Sequence, residues 1–301
     1  MTGTPEPGAP ARDGSAGHAS LRSAVGAIGV MLAVGLAFRL IMAYLYPPLA
    51  GSGFDNDLAS FRGWANDLAT NGPLGFYTRP GFHDYTPGYL YALWAVGVVG
   101  KAIGGIGDLI KLPAIVSDVA LAFVVFLMLR DLGVRESRAR IGALIVLVNP
   151  ITWFDSVIWG QVDSVGVVFM LLGVRELWKG RHERAAILTV VAALIKPQLG
   201  ILIPIVAWVT VRRALWPKGA YGDDPEPEPT GFAWERRPMT HVRILTTGLA
   251  GLLTAVILSA PFGMSVIGLT EQIGKTAAGY PYLTVNAYNP WALVTLSLIH
   301  I

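Results

Sequence analysis

Apolar runs of about 20 residues recur along this chain, the first from Ser23 to Tyr46, and a run of that length matches a bilayer core of roughly 30 Å. The reading is therefore an all-α, polytopic membrane protein with about 8 spans. They are drawn at Ser23–Tyr46, Leu112–Leu129, Ile141–Trp159, Ser164–Trp178, Ala185–Gln198, Leu199–Val211, Ile244–Pro261 and a last one beginning near Trp291. With 53% hydrophobic and 14% charged residues, the chain is no soluble enzyme. Its net charge of +3 comes from basic residues scattered in short loops, which points to membrane topology, with membrane lipid as a partner, and not to nucleic acid. The chain has no cysteine, so disulfides, thiolate metal sites and cysteine nucleophiles are excluded. Residues 1–22, rich in Pro, Gly, Ala and Ser, read as a disordered cytoplasmic tail, because the apolar run behind them is long enough to span. The rest, 23–301, reads as one transmembrane domain.

The run from Tyr85 to Ile106 decides the topology. Counted as a span, it would put Arg130, Arg135, Arg138 and Arg140 outside, against the positive-inside rule. Read instead as an interfacial or re-entrant helix broken by Gly97, Gly100, Gly104 and Gly105, it leaves 16 of the 23 Lys and Arg residues inside. Residues 47–111 then form an extracytoplasmic loop and 212–243 a cytoplasmic one. Within the latter, Tyr221–Thr240 is acidic, proline-rich and expected to be disordered.

That assignment gathers the unusual polar clusters on the outer face: Asp55, Asp57 and Asp84; Trp159-Gly160-Gln161-Val162-Asp163-Ser164; Lys196-Pro197-Gln198; and Tyr280 to Trp291. Ionisable groups at membrane depth are costly and line cavities or pathways, so four such clusters imply one outward-facing pocket. Each has a plainer reading. Asp57, Phe61, Trp64 and Leu68 recur at helical spacing, as on an amphipathic helix lying on the membrane with Asp55 or Asp57 as its N-cap. Nearby Trp and Tyr residues read as interface anchors. Gln161 and Asp163 can cap the span that starts at Ser164, Lys196 can snorkel to the surface, and Asp118, Asp155 and Arg39 read equally as internal polar pairs. A lone His83 beside one Asp is thin support for a metal ligand.

Taken in order, Phe54-Asp55-Asn56-Asp57-Leu58 with Phe61 and Trp64-Ala65, Asp84-Tyr85 with Pro87-Gly88-Tyr89-Leu90-Tyr91, Asn149-Pro150, Trp159 to Ser164, Lys196-Pro197-Gln198 and Val285-Asn286-Ala287-Tyr288-Asn289 resemble the bacterial relatives of the second mannosyltransferase of GPI-anchor assembly. That group lies in the GT-C superfamily of integral membrane glycosyltransferases, and the resemblance runs from about Leu21 to the end. It implies a GT-C-type helical bundle with interfacial helices in the first outer loop and a polyprenyl-phosphate sugar donor, usually mannose. It also implies a catalytic carboxylate in that loop, matched in position by Asp57 with Asp55 in reserve. A hydroxyl is a poor nucleophile, and a carboxylate within hydrogen-bond reach can take its proton as it attacks the anomeric carbon. The departing lipid phosphate needs positive charge, for which Lys196 comes first and Arg79 second. Attack opposite the phosphate inverts the anomeric centre. Asp84, Tyr85, Gln161, Asp163, Gln198, Asn286 and Asn289 are then expected to bind substrate or order the loop. A divalent ion, Mg²⁺ or Mn²⁺, is optional, since some superfamily members use one and others do not. The acceptor is expected to be a glycolipid or lipoglycan.

The chain departs from that pattern after Trp291, where GT-C enzymes usually continue for several spans. Leu296-Ser297-Leu298-Ile299-His300-Ile301 reads as one frame of a transposase-adapter end, so a C-terminally truncated reading frame is expected. A transporter or lipid flippase without transferase activity is the alternative, although no second half echoes the first.

Overall fold

The computed structural model describes residues 14–45, 54–216, 218–219, 222–223 and 240–278. The Tyr280–Trp291 cluster, with Asn286 and Asn289, the chain end and most of the acidic loop lie outside the described residues. In order come α1 (Gly14–Leu45), α2 (Phe54–Asn71), α3 (Pro87–Ile103), α4 (Leu112–Asp131), α5 (Glu136–Val148) and the single turn α6 (Pro150–Trp153). A π-helical segment (Phe154–Trp159) leads into α7 (Asp163–Trp178), α8 (His182–Ile195), α9 (Leu202–Leu215), α10 (His241–Ser259) and α11 (Val266–Ala278). A two-residue ladder, Lys218–Gly219 with Gly222–Asp223, is the strand pairing among the described residues.

Four segments are long and apolar enough to cross a membrane: Gly26–Leu45, Gly107–Asp131, Pro197–Leu215 and His241–Phe262. The chain is an all-α polytopic membrane protein. A fifth, Glu136–Val148 with Pro150–Trp159, is bent by 43°. The bend falls at Asn149-Pro150, where the proline has no N–H for the helical ladder and Asn149 Oδ1 accepts from the Ile151 amide at 3.0 Å. Two expected spans come out short. Helices α7 and α8 have 16 and 14 residues, below the roughly 17 that cross a hydrocarbon core. Helix α8 stops at Ile195 because the residue before Pro197, Lys196, is forced to extended backbone (φ −146°, ψ 112°).

Pro87–Ile103 is one continuous helix, so Gly97 and Gly100 are not the breaks expected of them. They are points of close approach. A Cβ on Gly97 would lie 2.0 Å from the Ala65 carbonyl oxygen, and one on Gly100 2.6 Å from Ile106. The helix ends at Gly104, whose positive φ of 92° suits glycine. Against this helix α2 turns its apolar stripe of Leu58, Phe61, Trp64, Ala65 and Leu68, all buried. That stripe is covered by protein, and the expected membrane-lying face is absent from it. Trp64 and Tyr89, read as interface anchors, are core residues, with the Trp64 indole donating to the Phe82 carbonyl at 2.7 Å.

Charge gathers at the opposite end of α7 and α8. Arg175 and Lys179 hold Asp131 at 2.6 and 3.1 Å, and Arg243 of α10 holds the buried Glu183. Beside them His182 is fully buried. Its Nδ1–H donates to Thr210 Oγ1 at 2.8 Å, because the threonine hydrogen is already given to the Val206 carbonyl at 2.7 Å. Burial first, then Arg213 and Arg243, push the imidazole down to about 3. The unfolded chain therefore takes up this proton first as the pH falls below about 6.5, and stability is lost from there downward. Acidifying detergent-solubilised protein from pH 7 to pH 5 is expected to remove about 2 kcal/mol of the stability that the neutral His182 contributes. Thermal melting of His182→Asn, which keeps a donor for Thr210, should show a flatter dependence; an equal slope in both proteins refutes the assignment.

Candidate functional site

Asp57 lies in the first turns of α2, and its Oδ2 accepts from Trp159 Nε1 at 3.0 Å and from Gln161 Nε2. Those donors stand 102 and 104 residues further along the chain. They reach it because Gly160 lets the chain turn with φ +76° and lets α2 press close: a Cβ there would lie 2.4 Å from a Leu58 methyl. Asp57 Oδ1 carries no hydrogen bond among the described residues. A carboxylate held by one oxygen and open at the other can accept a proton.

Beyond this turn, Asp163 opens α7 and meets Lys196, whose ammonium donates to both carboxylate oxygens at 2.6 and 2.7 Å. The lysine is mostly buried, so the surface-snorkelling reading gives way to an ion pair. Lys196 is carried on the segment that α3 docks against. Thr86 Oγ1 donates to the Leu194 carbonyl at 2.6 Å, and a Cβ on Gly88 would lie 2.5 Å from the Leu194 backbone. The Asp84-to-Gly88 motif thus fixes the start of α3 against the end of α8.

Tyr85 lies between these parts. Its ring packs edge-on against Phe61 with centroids 5.4 Å apart. Burial, and after it Tyr89, Asp84, Asp163 and Asp57, raise its phenol well above the usual range, so it stays a neutral hydrogen-bond donor. The neighbouring loop is held through its backbone: Gln272 and Thr276 of α11 donate to the His83 and Asp84 carbonyls, both at 2.7 Å. His83 packs edge-on against Phe76 with centroids 4.4 Å apart, and burial lowers its imidazole below the ordinary range. It is packed as an aromatic ring.

Not every expected residue converges here. Arg79 binds Asp67 and the carbonyls of Gly72 and Leu74. Asp67 is ten residues down α2 from Asp57, about 15 Å along the axis, so Arg79 ties the far end of the helix to its loop and leaves the site. Gln198 is exposed on the turn after Lys196. Asp55 is in α2, with its side chain outside the described residues. Among the described residues no three His, Asp or Glu side chains are grouped to hold a metal ion.

Sequence reasoning passed over Trp159, Thr86, Gly88 and Gly160 as individual site residues, although all stand inside the quoted motifs. It also left Asp118 open between two readings. Asp118 is fully buried and accepts from Arg39 Nε at 2.7 Å, from Ser156 Oγ at 2.6 Å and from Ser164 Oγ. Arg39 and Asp118 are thus an internal polar pair.

Fold and site together define a polytopic helical membrane protein with an acid and an acid–lysine pair gathered at one end of α7. Residues 82–217, a little under half of the chain, match the model of glycosyltransferase family 87. No curated protein and no solved structure matches the chain. The match supports a membrane glycosyltransferase, which implies a sugar donor and an acceptor, and it covers Asp84, Tyr85, Gln161, Asp163 and Lys196. Asp57 lies ahead of it.

Proposed function

We propose that this protein is an inverting mannosyltransferase that moves the sugar of a polyprenyl-phosphate donor to an extracytoplasmic glycolipid or lipoglycan. The observation that carries the reading is the acid of α2, fixed on Oδ2 by Trp159 and Gln161 and open on Oδ1, at the end of the bundle that bears the Asp163–Lys196 pair. Asp57 Oδ1 takes the proton of the acceptor hydroxyl as that oxygen attacks the anomeric carbon. The bond from that carbon to the phosphate oxygen breaks on the opposite face, and the electron pair leaves with the lipid phosphate. Lys196 stabilises the added negative charge: an ammonium has three hydrogens and Asp163 takes two. Tyr85, as a neutral donor, and Gln161 are placed to meet sugar hydroxyls.

A lipid-linked donor also fits the space beside the site. A cavity of about 450 Å³ lies between α8, α9 and α10, lined by Thr189, Val190, Leu194, Val206, Thr247 and Leu269 among others, nearly all apolar. It begins at Leu194, whose carbonyl holds Thr86, and follows two membrane-length helices, as an isoprenoid chain attached to a phosphate at Lys196 would.

Membranes expressing the chain are expected to transfer radiolabel from polyprenyl-phosphate mannose, and not from a nucleotide-linked mannose, into a lipid-extractable product of inverted anomeric configuration. Labelling from polyprenyl-phosphate glucose alone would change the sugar. No transfer from any lipid-linked sugar would overturn the reading and favour a transporter or flippase.

A further inference from the structure

We propose that Asp118 is a positioning residue for this site, a membrane-buried carboxylate that pins both ends of the turn carrying Trp159, Gln161 and Asp163; as a statement about catalysis it rests on the function proposed above. Its Oδ2 accepts from Ser156, inside the π-helical segment, and its Oδ1 from Ser164, in the first turn of α7. The residues between these two serines include both donors to Asp57 and the partner of Lys196. One carboxylate therefore closes the segment that presents both halves of the site.

Two further observations point the same way. The pair is expensive for its place: Asp118 and Arg39 are both fully buried, and a buried ion pair is often replaced by apolar side chains with no loss of stability. Its presence calls for another reason. The pinned segment is also in a helical register that needs holding. A π-helix closes its hydrogen bonds over five residues where an α-helix closes them over four, and the backbone amide of Gln161 reaches back to the Asp155 carbonyl at 2.9 Å. If the segment relaxed to α-helical register, the residues after it would rotate by about 100°, and the Trp159 and Gln161 donors would leave Asp57. Arg39 steadies the carboxylate from α1 and also donates to Thr152 Oγ1 at 3.3 Å, on the turn before the π-helix.

The test uses the full chain and two variants. Ser156→Ala/Ser164→Ala removes both pins and leaves the ion pair; Arg39→Met/Asp118→Leu replaces the pair by apolar side chains and covers the case in which the first variant fails to fold. Each is expected to insert, to lower kcat by about a hundredfold, and to change the donor KM by less than about threefold. A second readout needs no activity. The chain has no cysteine, so Val162→Cys is a background-free probe of the turn, and Val162 is fully buried. Labelling of that thiol by a small maleimide should quicken at least tenfold in either variant, on the order expected for opening of a packed turn. Unchanged labelling, or a kcat that falls only in step with folded yield, overturns the proposal. Faster labelling in a protein that transfers no sugar from any donor upholds the pinning and rejects the transferase instead.

Discussion

Asp57→Asn is expected to insert normally and to lose sugar transfer by about a thousandfold, within the range that a positioned general base contributes. The substitution is nearly isosteric. The amide oxygen can still accept from the Trp159 indole and Gln161, so the α2 contact with the turn survives and donor KM should hardly move. What the amide lacks is the basicity to take the acceptor proton at the other position. Asp57→Glu keeps the basicity but moves it by one methylene, and an intermediate loss is expected because proton transfer depends on reach. Initial rates from radiolabelled polyprenyl-phosphate mannose, normalised to inserted protein, decide the matter. Transfer unaffected by Asp57→Asn would move the base to Asp55 or Asp84. Loss of inserted protein in step with activity would make Asp57 a structural cap for the turn.

Lys196→Met is the second large effect, with kcat expected to fall by about 10²–10³-fold, the loss seen when one preorganised group facing developing charge is removed. The change also strips Asp163 of its partner. That cost is modest, because Asp163 is 42% exposed and water replaces part of the lost interaction. The two contributions separate in the pair Lys196→Met/Asp163→Asn. If the ion pair only holds the turn to the end of α8, the double variant should recover both melting temperature and activity. If Lys196 faces the leaving phosphate, the double variant recovers stability and stays inactive. Lys196→Arg is expected to retain part of the rate, since the charge persists while the planar guanidinium presents its donors differently. A double variant as active as the parent would refute the role given to this lysine.

These two residues also mark how far the sequence could be read. Hydrophobic period and run length are local properties, so the helical membrane architecture follows from neighbours in the chain, whereas the spans read as Ile141–Trp159 and Ala185–Gln198 run past the bend at Asn149-Pro150 and the end of α8 before Pro197. Polarity in apolar surroundings was enough to single out Asp57, Gln161, Asp163 and Lys196, because such groups are costly there whatever the fold. The partners of each charge were decided elsewhere. Lys196 and Arg79 rank first and second as sequence, yet the first is bound to Asp163 and the second to Asp67 far along α2. Gly97, Gly100 and Gly160 carry no local sign of whether they break a helix or admit a neighbour. Here that depends on Ala65, Ile106 and Leu58 from other segments. Arg39 and Asp118 stand 79 residues apart, and that they meet, with Ser156 and Ser164 closing on the same carboxylate, is a fact of packing alone. The chain's own pattern determined which segments are helices in a membrane; side-chain contacts between residues 33 to 104 apart in the chain decided which partner each of these acids meets.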